Sequence, residues 1–299
     1  MSADSPAAPT RLTVFFRRLG STVALWGVIG AAVWTAQPLL FFGIIVALGG
    51  LGLVEWCRMF GTDLPGKWRA WLYLMAAAYA ALVLNESLHG RNGHPGLPEA
   101  VAVPALLFGL FAGTLRGPLE GRLTLWRIFA ILAGFVYIAF LFSFAWRLLL
   151  LPKWNGSGPL PGVFYLVFVI AVTKFTDMGA YAIGVVFGKH KMIPHISPGK
   201  TWEGLGGAFL GAFVAAHGMV AAFGRHIPMI DHRHAAGLAL SLAAITVVAD
   251  LAESVVKRCL EIKDSGHLLP GIGGALDLID SLLFTAPAAW LYFHLVVTS

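Results

Sequence analysis

Charged side chains are scarce in this sequence. Asp, Glu, Lys and Arg make up 12% of its 299 residues, against roughly a quarter in an ordinary soluble domain. Thirty-six charges cannot coat a soluble globule of this length, so the composition excludes a soluble cytosolic protein, a disordered chain and a nucleic-acid-binding domain. Cysteine is nearly absent too. Cys57 and Cys259 form no pair at metal or redox spacing and read as ordinary thiols. There is no Walker-type loop, no Ser–His–Asp arrangement, no histidine–cysteine cluster suited to zinc, no internal repeat and no low-complexity tract.

Apolar residues are abundant. They form 58% of the chain, and the mean hydropathy is +0.78. A spanning helix needs about 20 mostly apolar residues. Nine runs qualify: 19–36, 39–55, 70–86, 100–115, 124–149, 162–187, 204–224, 237–256 and 279–297. The first follows Arg11, Arg17 and Arg18 like a signal peptide, but Trp34 stands at −3 of the only cleavage position, after Ala36, so the run is expected to remain as an anchor.

Lysine and arginine set the orientation. With the N-terminus inside, 15 of the 21 fall on inside segments and adjoining helix ends, five fall outside, and Lys174 lies within a span. The fold expected is an all-α polytopic membrane protein of about nine transmembrane helices, N-terminus cytoplasmic and C-terminus outside. Residues 1–18 are a cytoplasmic tail, 19–160 the N-terminal spans and 161–299 a catalytic region with its signature in 250–281. Trp34, Trp56, Trp68, Trp71, Trp146, Trp154 and Trp202 lie near proposed helix ends, where indoles favour the interface. Segment 86–99 reads as a Gly/Pro-rich exterior connection, and histidine-rich 225–234 as an exposed loop.

Eight of the 15 acids fall in three C-terminal stretches, 174–177, 197–204 and 250–281. Ionisable groups in or beside spans are costly, which makes each a candidate for function. In the first, Lys174 and Asp177 are three apart and share a helix face. They are either a self-neutralising pair or the polar wall of a substrate cleft. The second, 188–204, is a cationic cytoplasmic loop with a turn expected at Pro198-Gly199 and an N-cap at Thr201. It is either a positive-inside loop or a lid offering lysines to phosphates. In the third, Asp250, Glu253, Ser254, Lys257, Glu261 and Asp264 follow one helical stripe out of the eighth span. Gly271, Gly273 and Gly274 then let the backbone approach a ligand, where successive amides can hold phosphate oxygens. Asp277 and Asp280 come next, three apart on one face. Hard carboxylates grouped with lysines and a glycine turn suit Mg²⁺ and phosphate.

These residues resemble a known family. Ser254-Val-Val-Lys257-Arg258-Cys-Leu-Glu-Ile-Lys263-Asp264, then Pro270-Gly271-Ile272-Gly273-Gly274, then Asp277-Leu278-Ile279-Asp280 is similar to the signature of the phosphatidate cytidylyltransferases (CDP-diacylglycerol synthases). Asp177-Met-Gly-Ala-Tyr181 and Ser197-Pro198-Gly-Lys200-Thr201-Trp202-Glu203-Gly204 also match family patterns. The resemblance covers roughly 170–285. Two positions depart from it: the family's turn histidine is Ile272 here, and the arginine after the first aspartate is Leu278. Lys174 is a candidate substitute cation.

The resemblance implies reaction of CTP with phosphatidate in the bilayer to give CDP-diacylglycerol and pyrophosphate, in an integral protein of the bacterial inner membrane whose active site faces the cytoplasm. It implies Asp250 and Asp277 as direct Mg²⁺ ligands, with Mn²⁺ as an alternative ion and Asp280 and Asp264 in support. Lys257, Arg258 and Lys263 would hold triphosphate or lipid phosphate. Gly271, Gly273 and Gly274 would shape the phosphate turn. Ser197, Lys200 and Thr201 would close from above, with Asp177 and Ser254 completing the substrate-binding set. It also implies a homodimer and no nucleic-acid partner. Three rival readings stand: a CTP-dependent enzyme with another lipid acceptor, a transporter using Lys174, Asp177 and Asp250 as an ion path, and a non-catalytic relative. The transporter would call for an internal repeat with interrupted helices in both halves, and none is evident in the sequence.

Overall fold

A computed structural model describes residues 37–89, 96–151, 162–263, 265–266 and 273–297, together with Gly27, Gly30, Ala31 and Thr35. Its long elements are helices: α1 Pro38–Met59, α2 Gly66–Leu88, α3 Leu97–Thr114, α4 Arg122–Leu149, α5 Val163–Phe187, α6 Trp202–Phe223, α7 His232–Cys259 and α8 Ala275–Tyr292. All eight are long and apolar enough to cross a membrane. Large apolar side chains such as Phe108, Phe129 and Val186 stay exposed, as lipid-facing positions do. The protein is an all-α polytopic membrane protein. Most of the expected first span, 19–36, lies outside the described residues, as do residues 90–95 of the expected exterior connection 86–99.

Local chemistry explains several boundaries. Pro38 opens α1, where its missing N–H costs nothing. Thr201 caps α6, its side chain accepting from Gly204 N at 3.1 Å. Asp231 caps α7 through the amides of Arg233 and His234, so the histidine-rich segment runs into a helix. Leu97-Pro98-Glu99 also begins a helix, Glu99 returning to accept from Gly96 N at 2.6 Å. The six residues Phe135–Phe140 of α4 form a π-helical turn.

Helix α8 lies at the centre, touching α1, α4, α5 and α7. Along it Leu276, Ile279, Leu283, Ala286 and Ala289 are buried. Helices α5 and α6 run against each other backbone to backbone. A methyl group on Gly179 or on Gly207 would collide with the other's carbonyl oxygen, so only glycine permits this approach. Two expectations need correction. Segment 188–204 contains an antiparallel hairpin, β1 Lys191–Ile193 with β2 Ser197–Thr201. Its turn falls at 194–196, so Pro198 and Gly199 lie within the strand. The helical stripe also stops early: α7 ends at Cys259 and Glu261 takes φ 57°, which removes Glu261 from the helix face. Trp56, Trp68 and Trp146 lie near helix ends with their rings packed against neighbouring helices, at 4%, 8% and 3% exposure. Trp56 Nε1 is held by Ala130 O at 3.0 Å.

Candidate active site

Two cavities of nearly equal size differ in their linings. One, of about 540 Å³, lies among α1, α2 and α4 and is lined by no charged side chain. The other, of about 550 Å³, is enclosed by α5, the hairpin, α6, α7 and α8. Asp177, Asp250, Asp277 and Asp280 line it with Lys200, beside the hydroxyls of Ser197, Thr201 and Ser281. Tyr181 and Val185, 74% and 65% exposed, form one edge. The cavity therefore borders both a polar cluster and the lipid-facing side of α5.

The cavity's carboxylates are positioned by helix geometry. Asp250 and Glu253 lie three apart on α7, and Asp280 approaches from α8. One carboxylate oxygen from each of these three lies within 4.8 Å of the others. Glu253 and Asp280 are buried. Glu253 Oε1 has no hydrogen-bond partner, while Asp280 Oδ1 accepts from Ser281 N at 2.5 Å. Three converging carboxylates repel one another when ionised, so the cluster must take up a proton or hold a cation. An orphaned buried oxygen and an all-oxygen donor set fit a hard divalent ion.

Lysines provide counter-charge around this trio. Lys200 Nζ pairs with Asp250 Oδ2 at 2.7 Å and donates to Val247 O at 3.2 Å. Lys257 Nζ bridges Glu253 Oε2 at 3.2 Å and Asp277 Oδ1 at 3.0 Å. Lys174 Nζ lies 3.9 Å from Asp177 Oδ2 and donates to Leu278 O at 3.2 Å. Its cation thus reaches the backbone of the very residue that departs from the family pattern.

The sequence-derived candidates separate into groups. Asp177, Ser197, Lys200, Thr201, Asp250, Asp277 and Asp280 meet at one cavity. Asp277 is not one of the three clustered oxygens but borders them, sharing Lys257 with Glu253 through its Oδ1 while its Oδ2 caps Gly274 N at 3.0 Å. Gly273 takes φ 117°, a conformation that favours glycine, but the Gly274 amide is committed to Asp277. Arg258 does not line the cavity. Its Nε donates to Ile196 O at 3.2 Å, fastening the hairpin turn to the end of α7. Ser254 and Lys263 do not line the cavity. Asp264 and Gly271 lie outside the described residues. Sequence reasoning passed over two acids. Glu253 was visible in the stripe, and Glu55 in α1 stood as a lone acid ending an apolar run. Glu203 acts locally, its carboxylate accepting from His190 Nδ1 at 2.6 Å and from the Lys189 and His190 amides, which ties the hairpin to α6.

Comparison with known proteins now adds to this geometry. A family model described as "Cytidylyltransferase family" matches residues 16–296. The chain belongs to this family. A protein of Escherichia coli (strain K12) named "Uncharacterized protein YnbB" is 32% identical over 92% of this chain and 84% of its own length. A phosphatidate cytidylyltransferase of Bacillus subtilis (strain 168) is 31% identical over 92% of this chain and 97% of its own. One of Mycobacterium bovis is 41% identical, but over 48% of this chain and 43% of its own length. The cytidylyltransferase match covers the N-terminal helices as well as the signature region.

Proposed function

We propose that this cytidylyltransferase uses CTP and phosphatidate to form CDP-diacylglycerol and pyrophosphate. The observation that carries this reading is the carboxylate cluster, in which Asp250 and Asp280 from the cavity wall meet buried Glu253 between lysines. Relatives named phosphatidate cytidylyltransferase support the choice of acceptor. In the reaction a phosphate oxygen of phosphatidate attacks the α-phosphorus of CTP. The new P–O bond forms in line as the bond to the β-phosphate bridging oxygen breaks, and pyrophosphate leaves with that bond's electron pair. The protein's part is to position two polyanions and offset their repulsion.

The carboxylates of Asp250, Glu253 and Asp280 would hold Mg²⁺, or Mn²⁺, and Asp277 would support the cluster through Lys257. Such an ion supplies Lewis-acid charge neutralisation at phosphoryl oxygens. Lys200 and Lys257, released from their carboxylates, would turn towards phosphate. Thr201 and Ser197 would bound the nucleotide side, and the exposed edge at Tyr181 and Val185 would admit the lipid headgroup from the bilayer. The asymmetry of lysine and arginine supports an inner-membrane protein of nine spans with the Asp277 end of α8 facing the cytoplasm. CTP would then enter from water.

The test supplies labelled CTP and Mg²⁺ to the purified full-length protein with phosphatidate, polyprenol or an archaeal-type lipid phosphate. Labelled CDP-diacylglycerol with equimolar pyrophosphate is expected from phosphatidate. Transfer only to another acceptor would overturn the choice of lipid.

A further inference from the structure

We infer that Glu55, in the N-terminal half, is a positioning residue for the catalytic helix α8. Its carboxylate is fully buried. Oε2 accepts the backbone N–H of Leu276 at 2.8 Å, across 221 residues of sequence. Leu276 is the second residue of α8, so this N–H is one of the helix's four unpaired amides. No lysine, arginine or histidine pairs with Glu55 among the described ion pairs. The positive end of α8 is therefore its charge partner.

The backbone around Glu55 is shaped to admit it. A methyl group on Gly266 would lie 2.5 Å from Oε1, and one on Gly274 would lie 2.7 Å from Oε2 and 2.9 Å from Asp277 Oδ2. Both glycines close over the carboxylate, leaving no room for a larger residue. Glu55 and Asp277 thus grip the same turn from opposite halves of the chain. Asp277 takes Gly274 N while Glu55 takes Leu276 N. Holding that first turn fixes the start of α8, and Asp280 sits one turn further on. Glu55 touches neither the cavity nor the three-oxygen cluster, so it acts through the placement of Asp277 and Asp280. A carboxylate committed here also keeps the Leu276 amide from serving substrate phosphate.

Full-length Glu55→Gln, Glu55→Ala and Gly266→Ala proteins test this by amide hydrogen exchange and by turnover of CTP and phosphatidate. The turnover arm rests on the proposed function and the exchange arm does not. If wild-type protein transfers no cytidylyl group to phosphatidate, that function fails while exchange still decides the role of Glu55. Glutamine keeps an acceptor oxygen, so exchange in 273–280 and kcat should stay within about threefold of wild type. Alanine should speed exchange in 273–280 by about tenfold or more, leave exchange in α5 and α6 unchanged, and lower kcat by about tenfold or more with little change in KM for phosphatidate. Gly266→Ala, which pushes the carboxylate aside without removing it, should fall between. The inference is overturned if alanine leaves both readouts at wild-type values, if glutamine is as damaging as alanine, if Gly266→Ala behaves as wild type, or if alanine loosens every helix equally.

Discussion

The two halves of the chain bury charge in opposite ways. In the N-terminal helices Arg147, 2% exposed, is paired with Glu99. Glu99 also accepts from Tyr79 at 2.7 Å, and Tyr79 contacts Ser143 at 3.0 Å. Arg127 and Glu120 form a second closed pair at 2.6 Å. In the C-terminal half, acids outnumber bases around the cavity, and Glu253 Oε1 is left without a partner. An ionisable group inside a span is a functional candidate by default, yet Arg147 is as buried as any group at the site. What distinguishes the site is surplus charge of one sign beside open volume. Glu55 Oε1, in the N-terminal half, also lacks a hydrogen-bond partner, but it lines no part of the acidic cavity.

The most severe break in this contrast comes from the acidic cluster. Asp250→Asn and Asp280→Asn each keep the side-chain shape but remove a charge, and turnover should fall about 10²-fold or more. Thermal unfolding should change little, and excess Mg²⁺ should rescue only part of the loss. Steady-state assays across a Mg²⁺ titration check this. Lys257→Met comes next. It leaves Glu253 and Asp277 facing each other without their shared cation, and turnover should drop on the order of 10-fold to 10²-fold.

The N-terminal network should respond in the other currency. Glu99→Gln leaves Arg147 without its charge partner, and breaking a buried pair costs roughly 3–5 kcal/mol of stability. Its thermal midpoint should fall well below that of wild type while the folded fraction keeps kcat within about twofold. A large loss of kcat in stable Glu99→Gln protein would erase the distinction between the halves. The smallest effect is expected at Arg258, which fastens the hairpin turn and does not line the cavity. Arg258→Ala should lower turnover by about threefold, with KM for CTP rising as the hairpin loosens. A loss matching that of Asp280→Asn would place Arg258 on substrate.

Much of this contrast is legible in the sequence. Apolar runs are long enough to mark eight helices, because a span must be apolar along its whole length. Asp177, Lys200, Asp250, Asp277 and Asp280 stand out because they are charges in or beside long apolar runs. Other features depend on contacts that spacing does not encode. The grouping of Asp250 with Glu253 and Asp280, and not with Asp277, depends on how α7 and α8 are rotated against each other. Leu276 and Glu55 meet across 221 residues, and no local pattern announces that meeting. The hairpin was obscured because Pro198-Gly199 reads as a turn, whereas the chain reverses earlier, at 194–196. Trp56 and Trp146 lie near helix ends in sequence, but they pack inward against neighbouring helices.

The most direct measurement is cytidylyl transfer by wild-type protein and by Asp280→Asn at matched Mg²⁺ concentrations, with phosphatidate as acceptor and folding verified by thermal unfolding. Wild-type protein should release one pyrophosphate for each CDP-diacylglycerol formed, and Asp280→Asn should be slower by about 10²-fold or more while remaining folded. Near-equal turnover by the two proteins would contradict the assignment of the chemistry to the three-carboxylate cluster.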